Sequence, residues 1–403
     1  MKSSISSLPR IPDDIIIEIL TRLPVKSLVR FCCVSKFWQN LITKNRVFIH
    51  SQLQNSVNNL SGFSNVLLLN SDEWPSHCTC HENPDIQPQK LAEEVMRASN
   101  NLPEVYRLIF RQGKFTLAGC CNGIICLIKY CINCPSRDEK FVVYLCNPAL
   151  HQFRALPPGN FQALSYISRT SLCLFFDQVS DDYKVVRITP GCNFWLVDIY
   201  SISNNSWKPF SSEIVPPWSQ PQYLWERPVV YNGSAYWLGC CIENWRSYIL
   251  NVLDLFQERI GEIVIPDGVQ HPHLDFFQGS LAIIGWISTR KKGLWVMKED
   301  SRTAAAGGGG GGGITWTKQL VLPSAITFYK PIRTVGVLFT EKYLMASFEG
   351  TVISYDFKNQ KVEDQNGVIL DGSKRHEYVV ADYVPSLFSV IPPPLAEEEF
   401  SHT

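Results

Sequence analysis

Three clusters in this chain of 403 residues carry side-chain types that do chemistry. His77, Cys78, Cys80 and His81 in HCTCHE, with Cys131 and Cys134 in a C-x-x-C about fifty residues on, are the types that ligate zinc. Asp181 and Asp182 have the makings of a carboxylate pair sharing a proton. Gly307 to Gly313, behind three alanines, offer backbone amides that an anion could approach. None of the three is complete. Ligands crowded at Cys-x-Cys spacing fit a structural zinc site poorly, and both cysteine clusters fall in loop-like sequence. The two aspartates open a strand pattern as turn residues do. No Gly-Lys-Ser/Thr closes the glycine run and no helix pattern follows it, which makes 301–314 a flexible low-complexity insert. The chain has no G-x-S-x-G elbow, H-E-x-x-H helix, kinase set or dinucleotide fingerprint. No catalytic residue, metal ligand or cofactor is assigned.

The strongest pattern is one for filling a groove. In residues 9–50, PRIPDDIIIEILTRLPVKSLVRFCCVSKFWQNLITKNRVFIH, Pro12 fixes φ, and Asp13 or Asp14 can cap a helix and favour its positive end. Ile15, Ile19, Leu20 and Leu23 recur at helical spacing until Pro24 stops the run. Val25, Leu28, Val29 and Cys32 repeat the pattern, and Val34, Phe37, Trp38, Leu41 and Ile42 make a third short helix. Roughly 40 residues cannot bury all of these side chains among themselves. The surplus serves either a partner or a larger core of the same chain.

Composition narrows the partner. Thirty-seven basic and thirty-seven acidic residues cancel, so no nucleic acid is expected. Residues 8–50 are locally basic, with seven Lys or Arg against three Asp or Glu, which suits an acidic partner surface or a solvated face. MKSSISSLPRIP lacks the apolar core of a signal peptide and no run approaches the roughly 20 apolar residues that span a bilayer, so the expected location is cytoplasm or nucleus, with no membrane. The fourteen cysteines, clustered in apolar runs such as AGCCNGIICLI and WLGCCI, are then thiols acting as small hydrophobes.

Behind a polar linker over 51–65, the chain reads as short strands and turns, with one helix expected over 89–98. VVYLCNPALHQFRALP, WLVDIYSISNNSWKPF, YILNVLDLFQERIGEIVIP and GTVISYDFKNQKVEDQ share one form: a strand, a turn opened by Asn147, Ser201, Asp254 or Asp356, and an apolar residue six positions on, at Phe153, Trp207, Ile260 or Val362. GLWVMKED and ITWTKQLVLP make a fifth copy around Lys298, expanded by the insert. Successive copies stand 54, 53, 44 and 58 residues apart, near the roughly 50 of kelch-type propeller blades. A further strand pair precedes each copy, giving the four strands of a blade, and about six blades, with five or seven also open. VLLLN and the late SLFSV are assigned to ring closure. In PPWSQPQYLWERP, Trp218, Tyr223, Trp225 and Arg227 stand together under proline rigidity; they serve either to recognise a target or to pack between blades.

IPDDIIIEILTRLPVKSLVRFCCVSKFWQNLI closely resembles the plant form of the F-box, with Ile11 and Ile15 in place of two leucines. CCNGIICL, NPALHQFRALP, DDYKVVRI, VDIYSISNNSWK, NGSAYWL, VMKED and SLFSV resemble the F-box-associated, kelch-like domain. The resemblance implies an all-α three-helix F-box over 1–50, an all-β propeller over 66–395 and a tail over 396–403. It implies docking on the Skp-family adaptor of a cullin–RING ubiquitin ligase through Ile11, Pro12, Ile15, Ile19, Leu20, Leu23, Pro24, Leu28, Val34 and Trp38. Trp38 is the largest anchor of the set, or else a core tryptophan tying the third helix to the first two. The expected function is a non-catalytic substrate receptor whose propeller binds a target protein for ubiquitination. The alternatives are a non-degradative F-box scaffold and a propeller enzyme with its site in the central channel.

Overall fold

The computed structural model describes residues 11–58, 66–71, 115–130, 141–159, 170–190, 195–210, 222–224, 228–241, 248–256, 259–299, 314–322, 330–331, 333–335, 342–346, 351–356, 359, 361–369 and 377–392. The helix expected over 89–98, the zinc-type cysteines and histidines and the glycine run lie outside them.

Helix α1 (Asp13–Thr21) starts behind Pro12, whose φ of −56° is already helical. No side chain caps it; Asp13 and Asp14 sit in the first turn, where aligned amide dipoles favour negative charge. Pro24 takes the same place before α2 (Val25–Phe31). Ser35 caps α3 (Lys36–Lys44), its Oγ accepting from the Trp38 amide at 3.2 Å. A fourth helix, α4 (Arg46–Asn58), follows at once, with Asn45 Oδ1 accepting from Phe48 N at 3.0 Å. It crosses residue 50, so the stretch read as a linker begins inside a helix. Its polar composition hid it, because only the stripe Phe48, Ile49, Gln52 and Leu53 is buried.

The remaining described elements are almost all strands. β1 (Val66–Ser71) comes first. β2 (Phe115–Cys121), β3 (Ile124–Tyr130), β4 (Phe141–Asn147) and β5 (Gln152–Ala155) pair in that order, as do β6 (Ser171–Asp177), β7 (Asp182–Pro190), β8 (Trp195–Ser201) and β9 (Ser206–Pro209). Next, β10 (Gln222–Leu224) and β11 (Val229–Tyr231) both pair with β12 (Ser234–Cys241), followed by β13 (Tyr248–Asp254) and β14 (Arg259–Ile263). β15 (Gln270–Phe277), β16 (Ser280–Ser288), β17 (Lys291–Glu299) and β18 (Ile314–Leu322) form the next sheet. Finally come β19 (Lys330–Pro331), β20 (Arg333–Val335), β21 (Lys342–Ala346), β22 (Thr351–Asp356), β23 (Lys361–Ile369) and β24 (Glu377–Asp382). Of these, β19, β21, β22 and β23 make a four-stranded sheet, while β24 joins β1 and β20.

The repeat seen in the sequence is a repeat of register. The residue before each turn opener pairs with the apolar residue beyond the turn: Cys146 with Phe153, Tyr200 with Trp207, Leu253 with Ile260, Tyr355 with Val362. In the fifth copy Met297 pairs with Trp316, so the insert leaves the pairing intact. First and second strands are joined by two-residue turns at Asn122–Gly123, Asn232–Gly233 and Gln278–Gly279, each with positive φ at both residues, the geometry whose twist suits a hairpin. Consecutive sheets share cores. Val186 and Ile188 of β7 pack with Ala235 and Trp237 of β12, Leu250 of β13 with Ile283 and Trp295, and Ala282 and Leu294 with Tyr355 of β22. Two indoles tie outer strands together: Trp207 Nε1 donates to the Pro157 carbonyl at 2.7 Å and Trp316 Nε1 to that of Val264 at 2.8 Å. Sheets stacked in chain order are the architecture of a propeller.

VLLLN is β1, and it pairs antiparallel with β24, the last strand. SLFSV departs from expectation: Ser386–Val390 is no strand but an irregular segment that is mostly buried, for reasons given below.

At the end of β6, Asp177 receives hydrogen bonds from Ser180 Oγ at 2.6 Å and Val179 N at 3.0 Å and ion-pairs with Lys184. Burial works against its charge, yet these partners hold the carboxyl down at about 2. A depressed carboxyl contributes stability above its ordinary pKa and loses it as pH falls toward the native value. Unfolding free energy is therefore expected to drop by roughly 2 kcal/mol between about pH 4 and pH 2 through this group. Denaturant titrations at stepped pH should show Asp177→Asn flattened across that window; an unchanged slope would place the acid sensitivity elsewhere.

Candidate docking face on the N-terminal helices

Residues 15–20 read IIIEIL, apolar almost all round, and the fold sorts them by angle. Ile15 and Ile19, four apart on α1, share one face and stay 48% and 51% exposed, Ile11 just before the helix is 54% exposed, and Leu20, a step of about 100° round the helix from Ile19, is buried. Val34, between α2 and α3, is 59% exposed and Phe37 on α3 48% exposed. Five large apolar side chains thus face solvent on a segment of three short helices. Exposed Lys26, Arg30 and Lys36 stand on the same helices, and Arg22 pairs with Glu18 at 2.6 Å.

The ten residues implied to face an adaptor divide. Ile11, Pro12, Ile15, Ile19, Pro24 and Val34 are exposed. Leu23 and Trp38 are half-buried, Trp38 with its ring edge-on to Phe31 at 5.4 Å and both against the core. Leu20 and Leu28 are fully covered by the chain itself, a correction to the expectation that they face a partner: they hold the helices to the rest of the protein. Phe37, part of the apolar pattern of α3 but not among the ten, is exposed as well, while its neighbour Trp38 turns inward.

The second candidate group lies mostly outside the described residues, as Trp218, Trp225 and Arg227 do. Tyr223 is on β10 and its backbone pairs with Cys240, at the end of β12 away from the Asn232–Gly233 turn. The matching first-to-second turn of the β6–β7 hairpin carries Asp181, which meets His50 of α4 at 2.6 Å. Strand polarity thus sets β10 toward the sheet end opposite to the one that meets the helices. Asp181 and Asp182, weighed above as a dyad, are separately engaged: Asp181 with His50 and Arg46, Asp182 with Ser201 Oγ and Ser203 N.

Cys32, Cys33, Cys120, Cys121, Cys126, Cys146 and Cys173 are free thiols; Cys146 and Cys173 are pushed up to about 12 by burial, as inert core thiols should be.

Comparison with known proteins agrees with this division of the chain. The F-box domain family matches residues 8–50, and the family described as F-box associated beta propeller domain matches 90–390. F-box protein CPR1 of Arabidopsis thaliana is 29% identical over 405 residues, covering 93% of this chain and 88% of that protein. A putative F-box/kelch-repeat protein of the same plant is 26% identical over 251 residues, covering 56% of this chain and 54% of its own length, so the chain spans about half of that relative. Among solved structures a puromycin hydrolase aligns with a TM-score of 0.40 at 9% identity over 63% of this chain and 39% of that one, too distant to carry an argument. With both families matched in order, and the second over most of the sequence, the chain belongs to the F-box proteins that carry an F-box associated beta-propeller domain.

Proposed function

We infer that this chain is the substrate receptor of an SCF-type ubiquitin ligase, its helices docked on a Skp-family adaptor and through it on cullin and RING subunits. The observation that carries the reading is the exposed pair Ile15 and Ile19 on α1, with Ile11, Val34 and Phe37 also exposed, on helices whose other face is committed to the chain's own core. Apolar anchors filling a partner's groove supply the affinity, and the basic residues around them favour an acidic partner surface. The propeller holds a target protein at the end away from the helices, toward which strand polarity sets Tyr223 of β10; Trp218, Trp225 and Arg227, its neighbours in sequence, are the other residues proposed to bind it. Catalysis is positional: tethering makes ubiquitin transfer effectively intramolecular, and no residue of this chain touches the reacting bond. The complex works in the cytoplasm or nucleus.

Calorimetric titration of a plant Skp-family adaptor into the full chain tests the docking. Ile15→Ala with Ile19→Ala, both outside the core, is expected to fold normally and to bind about a hundredfold more weakly, roughly 3 kcal/mol. Unaltered affinity in the double variant would remove α1 from the interface.

A further inference from the structure

The N-terminal helices have no core of their own. Leu20, Leu28 and Phe48 belong to one buried cluster with Leu145 of β4, Val185 of β7 and Phe388, near the end of the described chain. Val384, Leu387, Phe388 and Val390 are all buried although no strand or helix runs through 383–390.

Side chains from three directions hold this segment. Asn147 Nδ2 donates to the carbonyls of Ser386 at 3.0 Å and Phe388 at 2.6 Å, while its Oδ1 caps the turn by accepting from Ala149 N at 3.0 Å. Gln152 Oε1 accepts from Val390 N at 3.0 Å, and Arg154 Nη1 donates to the Val390 carbonyl at 3.4 Å. The Phe388 ring lies 4.9 Å from the His50 ring, 5.1 Å from Tyr183 and 5.7 Å from Phe176, under the Arg46 guanidinium at 5.8 Å. One aromatic side chain therefore touches α4, β6 and β7 together, beside the contact of His50 and Arg46 with Asp181. Of the four turn openers Asn147, Ser201, Asp254 and Asp356, only the first is an amide with N–H groups to give, and it stands under the C-terminal segment.

We propose that residues 383–390 are a clasp that locks the docking helices to the propeller as one rigid unit, with Asn147 and Phe388 as its positioning residues. On the receptor reading above, on which this rests, the clasp fixes the direction in which a bound target is presented to an enzyme held elsewhere in the complex. Loosening it lets the helices swing while leaving their exposed face unchanged.

Asn147→Ser separates the clasp from the fold around it. Serine opens the equivalent turn at Ser201, where its Oγ accepts from Asn204 N at 3.1 Å, so the turn survives and only the two donors to the clasp are lost. Amide hydrogen exchange on the full chain should show protection in α4 and in 383–390 falling about tenfold or more, with β15 to β17 unchanged. Asp181→Asn, a surface change that weakens the hold on His50 and Arg46, is expected to give the same pattern in α4 should the first variant fold poorly. Unchanged exchange in α4, or an equal rise through every sheet, would overturn the clasp. No adaptor enters the measurement, so failure of the clasp and failure of the docking reading are told apart.

Discussion

Gly123→Ala should lower stability by about 3 kcal/mol or more, among the largest losses from one small change. Gly123 has φ of 79°, a region where any β-carbon is strained, and a β-carbon there would lie 2.2 Å from the Val384 carbonyl oxygen and 2.9 Å from Ser386 Oγ. The first obstacle is backbone of the clasp, which cannot rotate away. Gly279 provides the control. It holds the same position of the same turn type with φ of 77°, yet nothing lies within 4 Å of the place its β-carbon would take. Gly279→Ala should therefore show the conformational penalty alone, about 1 kcal/mol. Equilibrium denaturation of the two variants isolates the clash as their difference; equal losses would mean that the clasp yields freely at Val384.

Asp198→Ala should cost about 3–5 kcal/mol. Asp198 and Arg187 face each other across β7 and β8, both buried, in a two-pronged contact, Arg187 Nε donating to Asp198 Oδ1 at 2.7 Å. Burial pushes the Asp198 carboxyl above the usual carboxylate range while the guanidinium pulls it back, and the same guanidinium lies over the Trp207 ring at 4.5 Å. Removing the carboxylate leaves the positive charge in a site built for a pair. Replacing both, as Arg187→Met with Asp198→Leu, should recover most of the loss, since buried pairs are often no better than apolar residues of similar volume. Thermal unfolding of the single and double variants checks the pair; a double variant as unstable as the single one would show that the deficit comes from packing alone.

What the sequence told about this protein depended on how far apart the cooperating residues are. The turn openers and their partners six positions on were legible because turn chemistry and strand alternation act within a dozen residues, and the register pairs Cys146 with Phe153 and Tyr200 with Trp207 on the common pattern. Helices α1 to α3 were legible from Pro12, Pro24 and the apolar spacing of Val34, Phe37, Trp38, Leu41 and Ile42. The facing of IIIEIL was not: a run apolar on every side has no preferred face until something packs against it, which is why Leu20 and Ile19 could not be told apart. Helix α4 escaped because a helix pressed on a larger body needs only a narrow apolar stripe. SLFSV looked like a strand because β-branched and aromatic residues suit strands, but its backbone carbonyls bond to Asn147, 239 and 241 residues away, and no local pattern announces such a partner.

On the proposed reading, the exposed apolar side chains of the first three helices are an adaptor-docking face whose helices share a buried core with the propeller. Amide hydrogen exchange of the full chain, with and without a saturating plant Skp-family adaptor, tests it most directly. Slowed exchange is expected through α1 and over 33–41, with β15 to β17 unaffected. Protection confined to propeller strands, or none on α1, would contradict it.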